Sequence, residues 1–326
     1  MTLRRPVSRL GLLFLNIFWD QRYRRLRAFW RLAVFVCARS VSVAVLTELA
    51  GRLGWLQRQP VLVTVTIRAL ATLVPACICA ICLDRRTGRD LGLPLSRANW
   101  ADLGLGLALG ATLMTIIFCV SVAFGWVRVT GYAVGYAGPM SVAIPLIVWL
   151  LVGIHEEVWA RGYLLINLAE GLRGATGSDR WALLLAWAIT SLYFGALHAD
   201  NPGATVTSTL FLVGAGFFLG LGIVLSGRLG QPIGLHIAWN LFQGTVFGFA
   251  VSGWRLSPFS VIRTSSRGPV LWTGGTFGPE AGLLGALAMV AGSGAILLIA
   301  RVRCGRIALA TELATPPVSR MADAHG

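Results

Sequence analysis

The stretch IVWLLVGIHEEVWARGYLLINLAEG, residues 147–171, decides the reading of this chain. An apolar run from Val142 to Ile154 leads straight into two adjacent carboxylates, Glu156 and Glu157, with Arg161 four residues on. The run is too short to cross a hydrocarbon core, which takes about 20 residues of helix. The helix must therefore continue through the acids into the apolar residues after Arg161, and the charges lie at membrane depth or at its border. A charge at the bilayer centre costs at least about 2.5–3.5 kcal/mol, so such residues mark function or pair with one another. Neighbouring helical side chains point about 100° apart. Glu157 and Arg161 stand at i, i+4 with the acid first, the favourable order for an ion pair. Glu156 faces elsewhere, free to act as a base.

The composition fits that setting. The 326 residues are 56% hydrophobic and 13% charged, with a mean hydropathy of +0.73. A soluble domain carries about twice that charged fraction. The net charge of +15 comes from arginine alone, since the chain has no lysine. No basic stripe is interleaved with aromatics on a polar domain, so no nucleic-acid partner is expected. The arginines flank apolar segments, where they meet anionic headgroups and set topology. Cys77, Cys79, Cys82 and Cys119 lie inside apolar runs and read as small hydrophobes rather than a disulfide or metal framework.

The expected fold is all-α: a polytopic membrane helix bundle with about eight transmembrane helices, near 30–50, 61–83, 103–125, 141–165, 181–198, 205–226, 234–252 and 281–300. Arg39 and Arg68 interrupt the first two. The N-terminal stretch has no signal-peptide cleavage pattern. The organisation reads as an Arg-rich cytoplasmic segment 1–29, N-terminal helices 30–140, a core 141–252, a loop and last helix 253–307, and a polar, disordered tail 308–326. Residues 1–31 carry eight arginines, and Arg85, Arg86, Arg89, Arg97, Arg301, Arg303 and Arg306 fall on the same side by parity. Alternate loops are lighter, apart from 253–280 with Arg255, Arg263 and Arg267. Both termini are thereby expected in the cytoplasm, in a multi-pass protein of the cell membrane. Gly106 and Gly110 have small-xxx-small spacing, which suggests close helix contact. Pro279-Glu280 fits a helix start, with the acid at the positive dipole end.

Four histidines are present. His325 lies in the tail, and His155 adjoins the acids as a core residue or a modulator of Glu156. Phe194 and His198 share one helical face, as do His236 and Asn240. Two such histidines with an unpaired Glu156 are suited to activating water and stabilising an oxyanion. Glu156, His198 and His236 would equally serve as zinc ligands with an open position. At this stage a hydrolase, a non-catalytic scaffold and a proton-coupled transporter all remain open; the last predicts inverted repeats, which the sequence does not show.

The motifs EEVWARG (Glu156, Glu157, Arg161), FGALH (Phe194, His198) and HIAWN (His236, Asn240) together resemble the EExxxR, FxxxH and HxxxN/D motifs of intramembrane proteases related to CAAX prenyl endopeptidases and bacteriocin-immunity (Abi) proteins, in the family's order over about residues 141–252. GGTFGPEAG (274–282) is similar to a feature of one bacterial branch. The resemblance implies a four-helix catalytic core and an endopeptidase acting on a membrane-bound or lipid-modified peptide. In it, Glu156 would polarise water with the help of His198. His236 and Asn240 would hold the oxyanion, and Glu157, Arg161 and Phe194 would support the site. The family has been described both as metal-dependent and as glutamate-based; Asn240, a poor zinc ligand, favours the latter. A non-catalytic immunity-type protein of the same fold is the alternative it leaves.

Overall fold

The computed structural model describes residues 17–132, 139–256 and 260–317. Arg4, Arg5, Arg9, His325 and the tail from 318 lie outside them. A short hairpin, β1 (Trp19–Asp20) and β2 (Arg25–Leu26), leads into helix α1 (Ala28–Arg52). Then come α2 (Pro60–Cys79, prolonged by a π turn Ala80–Asp84), α3 (Arg97–Ala123) and strand β3 (Val127–Tyr132). Next, α4 (Pro139–Glu157) runs through a π turn (Val158–Leu164) into α5 (Leu165–Thr176), followed by α6 (Asp179–Ala196) and α7 (Val206–Ser226). The chain closes with α8 (Gly230–Asn240, prolonged by a π turn Leu241–Val246), β4 (Ile262–Ser266) and α9 (Leu283–Cys304). It is an all-α, multi-pass bundle whose sheets, among the described residues, are confined to two strand pairs; β4 pairs antiparallel to β3, from Val127 opposite Ser266 to Tyr132 opposite Ile262.

Six helices among the described residues are long and apolar enough to span a membrane: α1, α2 with its π turn, α3, the 34-residue run Ala143–Thr176, α7 and α9. Two of the eight expected spans, α6 and α8, fall short. α6 opens with the charged pair Asp179-Arg180 and has 18 residues. α8 has only 11, all but Gln231 buried. It is an interior helix that meets protein on all sides, and its length is free of the lipid requirement.

Glycine explains how α8 is buried. Gly106 and Gly110 of α3 abut the α8 backbone, and Gly230 and Gly234 of α8 abut α3. The pairs 99/230, 103/234, 106/235 and 110/239 keep a near-constant offset, so the two helices run parallel in backbone contact. The spacing of Gly106 and Gly110 thus reflects packing.

One end of the bundle is tied by buried charge. Arg31 pairs with Asp84 and Glu170, Arg25 and Arg86 each reach Glu170 at 2.6 Å, and Arg31 also bonds Asn167 at 2.7 Å. These three arginines face one another's acids rather than headgroups, contrary to their expected role. Asp84 and Glu170, on two different helices, neutralise them at close range. Residues 308–317 are also not a loose tail. Ala310, Leu313 and Ala314 enter the main apolar cluster, and the Ala310 amide donates to the Val224 carbonyl at 2.8 Å.

A Cβ at Gly110 would lie 2.6 Å from the Leu235 oxygen, whereas one at Gly104 meets nothing within 4 Å. Gly110→Ala should cost roughly 1–3 kcal/mol and lower the thermal midpoint in detergent, with Gly104→Ala unchanged.

Candidate functional site

The ion pair at the centre is the one the i, i+4 spacing suggests. Arg161 Nη1 donates to Glu157 Oε1 at 2.8 Å, with both side chains at most 1% exposed. The guanidinium does two further things. Its Nη2 donates to the Gly216 carbonyl on α7 at 3.0 Å, and it lies 4.5 Å from the centroid of the Phe194 ring on α6. The sequence did not reveal that the same Glu157 oxygen also takes His236 Nδ1 at 2.8 Å. Glu157 therefore joins α4 to α8, and Arg161 joins α4 to α6 and α7. These four helices supply the site.

That bond fixes the tautomer of His236. A carboxylate oxygen accepts, so Nδ1 carries the proton and Nε2 of the neutral ring keeps its lone pair. Nε2 points at Glu156, 3.9 Å from Oε2. Glu156 is 23% exposed in its side chain, in contrast to the fully buried Glu157. His198 Nδ1 donates to its own helix, at the Phe194 carbonyl 2.8 Å away, which again leaves Nε2 free. His155 is buried and bonds the Leu151 carbonyl at 2.7 Å, which is the bonding of a core histidine. Asn240 is buried one turn beyond His236.

Straight spans would place His198 and His236 on opposite sides of the membrane. The packing removes this difficulty without breaking a helix. Gly195 faces Thr209 and Val213, Gly216 faces Ser191, and Gly220 faces Trp187, which sets α6 against α7. Gly222 faces Gln231 and Pro232, which sets α7 against α8. At about 1.5 Å per residue, His236 is then level with about Thr190 of α6, one turn from Phe194 and two from His198. The Phe194 ring bridges them, 4.9 Å from the His198 ring and 6.2 Å from that of His236. Asn201-Pro202-Gly203 lies in the turn after α6 rather than inside a spanning helix.

Two of the three motif-bearing helices change to π geometry at their candidate residues, just after Glu157 and just after Asn240. Such widenings occur frequently at functional sites. Zinc would need three donors within about 2.0–2.2 Å of one point. Among the described residues, no three His, Cys, Asp or Glu side chains are grouped to hold a metal ion. The set Glu156, His198 and His236 does not fit zinc as it stands.

Residues 138–242 match a family described as type II CAAX prenyl endopeptidase, Rce1-like. That segment is Rce1-like. It covers about a third of the 326 residues and contains every candidate from Glu156 to Asn240. No curated protein and no solved structure matches the chain significantly. The resemblance drawn from the three motifs thus agrees with the family match over this segment.

Arg39 and Glu280, both marked out in the sequence, also reach this region. Arg39 turns inward, its Nε on Thr72 Oγ1 at 3.1 Å and its guanidinium 4.4 Å from the Trp159 centroid, whereas Arg68 is exposed. Glu280, outside the Rce1-like segment, stands in the first turn of a short 3₁₀ helix, Pro279–Ala281, just ahead of α9, as a helix start would have it. It is buried, and it accepts from Gln243 Nε2, three residues after Asn240, and from the Ser252 amide. GGTFGPEAG thereby clamps the outer loop to the helix that carries His236.

Removing the guanidinium strands Glu157 in the core. Arg161→Ala should cost roughly 3–5 kcal/mol in unfolding measurements, well beyond an ordinary truncation. Burial, outweighing the hydrogen bonds it accepts, pushes the Glu280 carboxyl up to about 7. A carboxyl whose pKa is raised on folding stabilises fully below its unfolded value and loses that contribution as pH rises through the folded one. Between about pH 4.5 and pH 7.5 the wild type should lose roughly 3 kcal/mol relative to Glu280→Gln, read as a steeper fall of thermal midpoint with pH.

Proposed function

We propose that the protein is an intramembrane endopeptidase that hydrolyses a peptide bond of a membrane-associated, membrane-bound or lipid-modified, substrate with glutamate-activated water. It would lie in the cell membrane with both termini in the cytoplasm. The observation that carries the reading is the facing of Glu156 Oε2 and His236 Nε2 across 3.9 Å. Both are acceptors when Glu156 is ionised and His236 neutral, so a donor belongs between them. Water supplies two O–H groups and fits across such a gap. Its lone pairs are then left for a carbonyl carbon.

In this mechanism Glu156 takes the water proton as the oxygen attacks, and returns it to the leaving amine. His236 holds the water in place. Its Nδ1–H bond to Glu157 favours the imidazolium that would form if it shares the proton, as in a carboxylate–imidazole pair. The Asn240 amide donates to the developing oxyanion. His198, within electrostatic range of Glu156, polarises the water from the far side of Phe194. Arg161 and Glu157 orient the set. The resemblance alone would give His236 to the oxyanion, whereas the Nε2 direction supports a place at the water.

A peptide library and purified protein in nanodiscs test this. Glu156→Gln should lower cleavage by about 10²–10⁴-fold. Asn240→Ala should lower it by about 10²–10³-fold with little change in KM. A chelator should leave wild-type cleavage intact. Full activity in Glu156→Gln would remove the mechanism, and loss on chelation restored by zinc would replace it with a metal-assisted one.

A further inference from the structure

One buried carboxylate outside the Rce1-like segment is held by groups that lead back to both histidine motifs. Glu280 is 4% exposed. Its Oε2 accepts from Gln243 Nε2, and its Oε1 from the Ser252 amide at 2.5 Å. Gln243 is fully buried and lies three residues beyond Asn240, inside the π turn Leu241–Val246. Ser252 leads the other way. Its carbonyl accepts from Asn201 Nδ2 at 2.9 Å, and the Asn201 amide donates to the His198 carbonyl at 3.2 Å.

The backbone fixes which group donates. The Ala250 carbonyl can only accept, so the Gln243 atom 2.5 Å from it is the amide nitrogen. The second N–H of that nitrogen goes to Glu280 Oε2, which therefore accepts. The Ser252 amide can only donate, so Oε1 accepts as well. Both oxygens of Glu280 are thus used as acceptors, each for a different branch. A glutamine has one acceptor oxygen and would satisfy only one of the two donors.

The surrounding chain is shaped to this carboxylate. Ser252 stands at φ 47°, a left-handed conformation that is uncommon outside glycine and stores strain. Its amide and its carbonyl are the two groups that Glu280 and Asn201 hold, so the strained residue is fixed from both sides. Gly278 stands at φ 129°, and a Cβ there would lie 2.5 Å from Glu280 Oε2 and 2.8 Å from Gln243 Nε2. A Cβ at Gly253 would lie 2.1 Å from the Pro202 oxygen, and the Gly253 amide donates to the Phe277 carbonyl at 2.7 Å. The motif GGTFGPEAG, the loop after α8 and the turn after α6 therefore meet backbone to backbone around Glu280.

We propose that Glu280 is a positioning residue for the Glu156–His236 site, setting Asn240 through Gln243 and His198 through Ser252 and Asn201. It touches neither the substrate nor the reacting water. The π turn after Asn240 departs from the regular α-helical ladder, and the Gln243 bond ties it from outside. An oxyanion donor has to meet its target within about 2.7–3.1 Å, and a misplacement of about 1 Å can cost about 10²-fold in rate. The consequence for catalysis rests on the hydrolytic reading, whereas the placement of the two motifs does not.

Histidine side-chain NMR on the full chain in nanodiscs tests the placement without a substrate. The chain has four histidines, so single replacements assign every ring signal. Gln243→Ala should shift the Cε1–Hε1 signal of His236 alone, and Asn201→Ala that of His198 alone. Glu280→Ala should shift both. Ser252→Gly keeps the amide and the carbonyl in a conformation that glycine adopts freely, and should shift neither. His155, bonded to Leu151 on α4, should hold its signal throughout and reports an intact fold. On the peptide library, Glu280→Ala should lower kcat by about 10–10²-fold with KM within about twofold of wild type, and Glu280→Gln should fall between the two. Signals of His198 and His236 that stay put in Glu280→Ala, or that move together in both branch variants, overturn the positioning. Shifted histidines with an unchanged kcat overturn its role in catalysis. If Glu280→Ala does not fold, Gln243→Ala and Asn201→Ala carry the same test. The expected NMR pattern in a wild type that cleaves nothing would overturn the hydrolytic reading and leave the placement standing.

Discussion

Everything at the centre of this bundle depends on how one buried carboxylate is neutralised. Glu157 is fully buried at membrane depth, where an isolated charge would cost several kcal/mol. It is compensated twice, by Arg161 from its own helix and by His236 Nδ1 from α8. The first contact follows from local spacing, but the second spans 79 residues. It can form only because α8 lies in backbone contact with α3, where glycine leaves no side chain in the way. A structural salt bridge and the orientation proposed for catalysis are thus the same interaction, since the proton held on Nδ1 leaves the other nitrogen of His236 bare toward Glu156.

The sequence made much of this legible where the signal was local or chemical. A charge pair inside an apolar run, histidines backed by i±4 neighbours and a Gly106/Gly110 stripe each pointed to the arrangement found. What it hid was relative height. Periodicity gives a helix its face but not its level against another helix, and the nominal span 234–252 hid a helix of 11 residues. The levels of His198 and His236 are set by which glycine meets which backbone across α6, α7 and α8. No single segment encodes that.

The arginines show the same limit. Composition and parity read them as topology signals, and most are. Yet Arg25, Arg31 and Arg86 converge on Asp84 and Glu170, acids that are far apart in the chain. Likewise Glu280 is an N-terminal acid of a short helical turn, as Pro279 before it suggests, but that is not its main job. Its carboxylate also takes Gln243 and Ser252, where it fastens the loop after α8. Residue type announced both sets, and only tertiary contact decided their jobs.

The π turns at Val158–Leu164 and Leu241–Val246 make the active geometry unusually sensitive to chain length. A π turn holds an extra residue within an otherwise α-helical path. Deleting a single residue there would let the helix close to α geometry with what lies beyond the turn near its present facing, while residues inside the turn change facing by about 100°. At Val158 that would swing Arg161 away from Glu157; at Leu241 it would swing Gln243 away from Glu280. Insertions and deletions, more than substitutions, are therefore the changes by which relatives of this chain could switch the site on or off.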